Sequence, residues 1–186
     1  QADDQQTSPV NYSKGLERTL AMIQQAQNLK ILLLGDSITD FGDDRSYAFF
    51  MAERLRTRYG VSAVISNQGI GGHSVGGGSV VLNRSLSYMP DPDLVVIFYG
   101  ANDAKATRIG LDAEGFQMQL EHLIDRVRLE TQGKSDVVLV TGVPRLNDER
   151  TASTGLIEKI VDGIHGASQT RETGLLDTFV DYQQMG

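Results

Sequence analysis

The stretch "KILLLGDS", residues 30–37, passes abruptly from an apolar run to Gly-Asp-Ser. Its apolar part, residues 30–34, is too short and too evenly apolar for a helix, so it predicts a buried parallel strand. A serine on a tight turn after such a strand can expose its hydroxyl, and Gly35 gives the backbone the freedom that the turn needs. The stretch therefore predicts both a parallel sheet and a candidate nucleophile, Ser37, at its edge.

The rest of the chain repeats this alternation of short apolar runs and amphipathic segments. The predicted strands are 30–34, 61–66, 93–100, 136–142 and 174–180, and the predicted helices are 12–28, 45–59, 112–131 and 154–172. A glycine-rich loop is predicted over residues 67–79. Strands that alternate with helices imply right-handed crossovers and a parallel sheet covered on both faces. The prediction is an α/β fold, a three-layer α/β/α sandwich with a five-stranded parallel sheet, in one domain over residues 12–186 that follows a polar segment, residues 1–11.

Composition excludes several classes of function. The 186 residues carry a net charge of −7, which argues against a nucleic-acid partner because phosphates would be repelled. No apolar run approaches the roughly 20 residues that a membrane-spanning helix requires. The chain has no cysteine, so thiolate catalysis and cysteine zinc sites are excluded. Its three histidines, at 73, 122 and 165, are scattered, and no phosphate-binding glycine motif occurs. We therefore predict neither a metal nor a cofactor.

The first residue is Gln1 rather than Met, and the residues after it are polar. A removed signal peptide would leave such a start, which would place the protein outside the cytoplasm. A cloned excerpt of a longer chain would begin in the same way.

Three loops leave the carboxyl ends of the first three predicted strands, and each contributes a different chemical group. They are "GDS" (35–37), "NQGIGGHS" (67–74) and "GAND" (100–103). Ligands of open parallel sheets bind at this edge. Ser37 offers a hydroxyl and a backbone N–H, Gly72 a backbone N–H with no side chain beside it, and Asn102 a neutral amide donor. One nucleophile and three converging donors are what the oxyanion of an acyl transfer needs.

These three motifs resemble the first three sequence blocks of the GDSL, or SGNH, hydrolases, in the family's order and close to its spacing. The likeness covers about residues 30–182. It implies a flavodoxin-like fold and serine-dependent ester hydrolysis, with carbohydrate O-deacetylation as one form and a small-molecule or carbohydrate ester as substrate. It makes Ser37 the nucleophile, and places its N–H with the Gly72 N–H and the Asn102 side chain in the oxyanion hole. Asp36 would hold the turn in place.

Each of these residues also has a purely structural interpretation. Ser37 could cap the following helix, Gly72 could shape a turn together with Gly71, and Asn102 could satisfy loop carbonyls. A function from another class also stays open: a non-catalytic glycan-binding or scaffold domain.

The family's remaining part is a histidine base, with an aspartate three residues before it, in a loop after the last strand. Here the last strand is predicted to end near Val180, and no histidine follows His165. The string "DGIH", Asp162 to His165, has the right spacing but lies in a predicted helix that starts at the site end of the sheet. His165 would then lie about 16 Å along the axis, toward the opposite end. We expect an ordinary surface pair there, and keep Asp162 and His165 only as the alternative acid–base pair.

The other two histidines fit the family pattern no better. His73 is in a loop at the correct end, where the family places no base, and His122 is expected to be structural. Two explanations of the missing base follow: the chain stops before the final motif, or the domain has lost acyl transfer and kept binding. We favour the first, because Ser37, Gly72 and Asn102 are all present.

Overall fold

The computed structural model of the protein describes residues 14–41, 46–104, 112–142 and 156–185. Five parallel strands form one sheet in the order β2-β1-β3-β4-β5. The strands are β1 (Leu29–Gly35), β2 (Ala63–Gly69), β3 (Leu94–Phe98), β4 (Asp136–Val140) and β5 (Gly174–Leu176). The predicted α/β class and five-stranded parallel sheet are therefore confirmed.

Helices cover both faces of this sheet. In the described ranges they are α1 (Glu17–Gln24), α2 (Ser37–Asp40), α3 (Tyr47–Tyr59), α4 (Val75–Tyr88), α5 (Ala113–Glu130), α6 (Leu156–Arg171) and α7 (Thr178–Met185). Side chains of α1 and α3 pack on one face, and those of α4, α5 and α6 pack on the other. The result is the predicted sandwich of three layers.

The central strand β1 shows why the apolar run must lie between two layers. Leu32 and Leu34 join the core on the side of α4, α5 and α6, whereas Ile31 and Leu33 join the core on the side of α1 and α3. All four side chains are fully buried. Burial of each such side chain contributes roughly 1.5–3 kcal/mol, so the strand is stable only when both faces are covered.

The glycine-rich segment differs from its prediction. We expected a strand over residues 61–66 and a loop over residues 67–79, but β2 continues to Gly69 and helix α4 begins at Val75, so the loop prediction was wrong at both ends. Glycine disfavours a helix by about 1 kcal/mol per residue. Packing nevertheless requires it here: a Cβ on Gly78 would lie 2.7 Å from Cε2 of Tyr99, and one on Gly77 would lie 2.8 Å from Nδ1 of His73. Tertiary packing therefore overrides local propensity.

The last strand is also shorter than predicted. It ends at Leu176, and Thr178–Met185 is helix α7, so the expected continuation to Val180 was wrong. The cause is Asp177, whose Oδ1 accepts a hydrogen bond from the Val180 backbone N–H at 3.2 Å. A carboxylate that caps N–H groups in this way starts a helix and ends the strand before it.

The polar segment over residues 1–11 lies outside the described residues, so the division of the chain at residue 12 stays a prediction. Within the described ranges, no helix has the length and apolar character needed to cross a bilayer.

Candidate active site

Ser37 is the first residue of α2 and lies half-buried directly beyond β1. The cap of this helix is Asp36: its Oδ1 accepts a hydrogen bond from the Ile38 N–H at 2.9 Å, and its carbonyl accepts one from the Asp40 N–H at 3.0 Å. The interpretation of Ser37 as the capping residue is therefore wrong. Asp36 holds the turn, and the serine hydroxyl is not used for capping.

Two glycines allow this turn to lie so close to the sheet. A Cβ on Gly35 would lie 2.0 Å from Oγ1 of Thr39, and a Cβ on Gly69 would lie 2.4 Å from the backbone N of Asp40. Any side chain at these positions would push α2 away from the ends of β1 and β2. Glycine here fixes the height of Ser37 above the sheet.

The second loop is fastened directly to the nucleophile turn. The Ile70 N–H donates to the carbonyl of Gly35 at 3.0 Å, and a Cβ on Gly71 would lie 4.0 Å from Cβ of Ser37. The His73 N–H closes a turn onto the Ile70 carbonyl at 3.1 Å. Gly72 is third in this turn with φ of +81°, the value that a type II turn requires and that glycine adopts freely. Gly71 and Gly72 therefore do shape a turn, and it lies beside Ser37.

The third loop is hydrogen-bonded both to the second loop and to the start of α4, which follows the second loop. Nδ2 of Asn102 donates to the His73 carbonyl at 2.9 Å, so the amide does satisfy a loop carbonyl. The Asp103 carboxylate accepts a hydrogen bond from the Val75 N–H at 3.2 Å and caps α4, where the Ser74 side chain makes no capping bond. An amide carries two N–H donors, so the bond to His73 and a contact with an oxyanion do not exclude each other.

Two residues of this site were missed by the sequence reasoning. Tyr99 directly precedes the third loop, Asp103 is the last residue of that loop, and both are buried. Asp103 stood in the quoted motif "GAND", but its capping role depends on a helix at Val75 that was not predicted. Tyr99 was assigned to a strand, where an apolar neighbourhood gave no reason to single out its hydroxyl.

Comparison with known proteins identifies the family. The sequence matches the GDSL-like Lipase/Acylhydrolase family over residues 33–185. The chain belongs to the GDSL-like lipase/acylhydrolase family. Its fold is accordingly the flavodoxin-like fold of the GDSL hydrolases. No curated protein sequence matches the chain significantly.

Solved structures of GDSL-type esterases have the same fold. Axe2, an acetyl-xylooligosaccharide esterase from Geobacillus stearothermophilus, is similar with a TM-score of 0.68 at 20% identity, over 84% of this chain and 79% of that one. Two Axe2 structures are of catalytic mutants, in which a serine or a histidine is replaced by alanine. The lipase/acylhydrolase from Enterococcus faecalis is similar with a TM-score of 0.64 at 26% identity, over 82% and 77% of the two chains.

A two-domain esterase (CEX) active on acetylated mannans is also similar, with a TM-score of 0.66 at 21% identity. The alignment covers 88% of this chain and 42% of that one, so this GDSL chain spans less than half of the two-domain protein.

The histidines of this GDSL protein all lie in the described ranges, and no hydrogen bond there joins any of them to Ser37. The His73 ring packs on Gly77, and its Nδ1 is buried without a hydrogen-bond partner in the described part of the chain. His122 is exposed on α5. Across the same residues, no group of three or more acidic or histidine side chains could hold a metal ion.

The predicted position of His165 was wrong. Nε2 of His165 lies 2.7 Å from Oδ2 of Asp177, the residue directly beyond β5, so His165 is at the carboxyl edge of the sheet. The prediction failed because α6 does not start level with the carboxyl edge of the sheet. Its first turns lie beyond that edge, so a residue in the middle of the helix, His165, is level with the edge. Ile160, five residues before His165 on α6, packs at Gly100 just beyond β3, where a Cβ would lie 2.7 Å from Cγ2 of Ile160. Asp162 is exposed, and no ion pair joins it to His165 within the described residues.

The contact between His165 and Asp177 lies among buried groups at the end of β5. Asp177 is buried, and its Oδ1 accepts a hydrogen bond from Oγ1 of Thr141 at 3.0 Å. Nε2 of His165 is buried as well, and although it lies 2.7 Å from the Asp177 carboxylate it has no aligned hydrogen bond within the described residues. Strands β1 and β5 are three strand spacings apart, or about 14 Å, so Ser37 and Asp177 follow strands that are not neighbours in the sheet.

Replacing His165 by alanine is therefore expected to lower stability and to leave hydrolysis nearly unchanged. Asp177 would lose one partner while it keeps Thr141 and Val180, so we expect a loss of about 1–2 kcal/mol in the free energy of unfolding, measured in urea. The matched control is His122→Ala, which changes an exposed histidine on α5. A loss of activity in His165→Ala without a comparable loss in His122→Ala would instead make His165 the base.

Proposed function

We propose that the protein is a serine esterase in which the Ser37 hydroxyl attacks the carbonyl carbon of an ester. The observation that carries this proposal is the convergence of three loops on one point. The Ile70 N–H is bonded to Gly35 at 3.0 Å, Gly71 lies beside Ser37, and Asn102 is bonded to His73 at 2.9 Å. A structural turn alone would not need a half-buried serine at the centre of this arrangement.

The proposed reaction has the two steps of acyl transfer. Oγ of Ser37 forms a bond to the carbonyl carbon, its proton leaves to a base, and negative charge develops on the carbonyl oxygen. Donors for that charge would be the backbone N–H groups of Ser37 and Gly72 and the amide of Asn102. The ester C–O bond then breaks, and the departing alkoxide takes up the proton that Ser37 gave to the base. A water molecule gives a proton to the base and bonds to the acyl carbon, the bond to Oγ breaks, and Oγ takes that proton back as the acid is released.

The proposed substrate is an O-acetylated carbohydrate. The support is similarity: Axe2 acts on acetylated xylo-oligosaccharides and CEX on acetylated mannans. An exposed site at the edge of the sheet suits a long polymer, since Gly71 and Gly72 are exposed beside Ser37. The second candidate, a glycan-binding domain without catalysis, is favoured by one observation: within the described residues no histidine is hydrogen-bonded to Ser37.

Labelling with a fluorophosphonate separates these two candidates. The esterase is expected to gain the mass of one phosphonyl group on the peptide that contains Ser37, because the oxyanion donors also stabilise the phosphonyl addition. Heat-denatured protein and Ser37→Ala are the controls and should stay unlabelled. Absence of label on Ser37 in the folded protein would favour the binding domain.

A further inference from the structure

The hydroxyl of Tyr99 is a buried polar group beside the site that the proposed reaction leaves unexplained. Tyr99 lies directly beyond β3 and is 3% exposed. Its hydroxyl is buried and has no hydrogen-bond partner in the described part of the protein. Phenylalanine would fill the same space without an unpaired polar group. A buried hydroxyl of this kind calls for a function.

Strand register places this hydroxyl on the same side of the sheet as the Asp36 carboxylate. Strands β1 and β3 are parallel, with Gly35 opposite Phe98 at their ends. One residue further, Asp36 stands beside Tyr99, and both side chains project to the face that α4 covers, because successive side chains alternate between faces. Asp36 is the cap of the helix that carries Ser37.

A second carboxylate, that of Asp103, lies near the Tyr99 hydroxyl because both residues contact helix α4. The Tyr99 ring packs on Gly78, where a Cβ would lie 2.9 Å from the hydroxyl oxygen. One turn earlier on the same face of the helix, the Val75 N–H donates to Asp103 at 3.2 Å. Asp103 follows Asn102 in the chain. The hydroxyl therefore lies near the two buried carboxylates that fix the nucleophile turn and the Asn102 loop.

The ionisation of Tyr99 fits the role of a donor. Burial raises the pKa of Tyr99, and the negative charges of Asp36 and Asp103 raise it further. The hydroxyl therefore keeps its proton throughout the pH range in which a hydrolase works. Carboxylates are acceptors, so the natural pairing runs from the tyrosine to the acids.

We propose that Tyr99 is a positioning residue, whose hydroxyl donates through one buried water to the carboxylates of Asp36 and Asp103. A buried water typically makes about three hydrogen bonds, and one hydroxyl with two carboxylates, each of which can accept several hydrogen bonds, supplies that number. The bridge couples the turn that carries Ser37 to the loop that carries Asn102. This inference rests on the proposed esterase function, because its effect on rate is exerted through Ser37.

The first test is Tyr99→Phe, with Tyr88→Phe as the matched control on the exposed end of α4. We expect Tyr99→Phe to lower kcat for an aryl acetate about tenfold with little change in KM, because a small displacement of the reacting groups slows chemistry without removing binding contacts. The labelling rate of Ser37 should fall in parallel. Tyr88→Phe should match the parent in all three measurements.

The second test measures coupling by urea unfolding of Tyr99→Phe, Asp103→Asn and the double variant. The bridge predicts that the effects on stability are not additive. Should Asp103→Asn fail to fold, Asp36→Asn takes its place. If the changes in the free energy of unfolding are additive, the inference is overturned whatever the kinetic results. If they are not additive but kcat of Tyr99→Phe equals that of the parent, Tyr99 has only a structural role, and the inference is also overturned. A parent protein that neither hydrolyses esters nor labels at Ser37 would instead refute the esterase function itself.

Discussion

Ser37→Ala is expected to abolish ester hydrolysis while it leaves the fold intact. Removal of the nucleophile from a well-studied serine protease lowers kcat by a factor on the order of 10⁶. The fold should survive because Asp36, not Ser37, caps α2 through the Ile38 N–H at 2.9 Å. The measurement is acetate release from an aryl acetate and from acetylated xylo-oligosaccharide, with urea unfolding as the check on stability.

The matched control for this variant is Ser87→Ala, which removes an exposed hydroxyl from α4. It should keep both the rate and the stability of the parent. The parent rate itself is expected to be low, because no described histidine is hydrogen-bonded to Ser37 and general-base assistance is worth roughly 10²–10⁴ in rate. If Ser37→Ala hydrolyses esters as fast as the parent, Ser37 is not the nucleophile.

The sheet and the neighbourhood of Ser37 could be predicted because they depend on local patterns. Evenly apolar runs such as residues 31–34 have no stable place outside a covered sheet, and all four are fully buried. Once β1 and β2 are parallel neighbours, the loops after them must meet at one edge. The approach of Gly71 to Ser37 follows from that topology.

The errors arose where contacts between distant residues decide the structure. Helix α4 begins among glycines because Tyr99 and His73 occupy the space beside them. Strand β5 ends early because Asp177 caps α7. The position of His165 depends on how far α6 extends beyond the carboxyl edge of the sheet. The spacing of apolar residues predicts that a helix forms but does not predict its height relative to the sheet. Asp103 and Tyr99 were missed for the same reason: Asp103 caps α4 and the Tyr99 ring packs on it, and this helix was not predicted.

Asn102→Ala is expected to lower kcat by roughly 10²–10³ with a small change in KM. Loss of one oxyanion donor typically costs about 2.7–4 kcal/mol of transition-state stabilisation, and the contact forms mainly after the carbonyl oxygen has gained charge. The same side chain bonds to the His73 carbonyl at 2.9 Å, so the variant also loses a structural hydrogen bond, worth about 1 kcal/mol of stability. Steady-state kinetics and urea unfolding must therefore be measured together.

The two roles of Asn102 predict different results. If the amide only holds the second loop, the rate should fall together with the free energy of unfolding, and KM should change as the loop moves. If it donates to the oxyanion, the loss in kcat should far exceed what the loss of one hydrogen bond explains. Asn83→Ala, which removes an amide that accepts from Arg126 on α5 at 2.8 Å, is the control for losing an ordinary side-chain contact. A rise in KM alone in Asn102→Ala would assign the amide to substrate binding, and the oxyanion would then depend on the backbone donors beside Ser37.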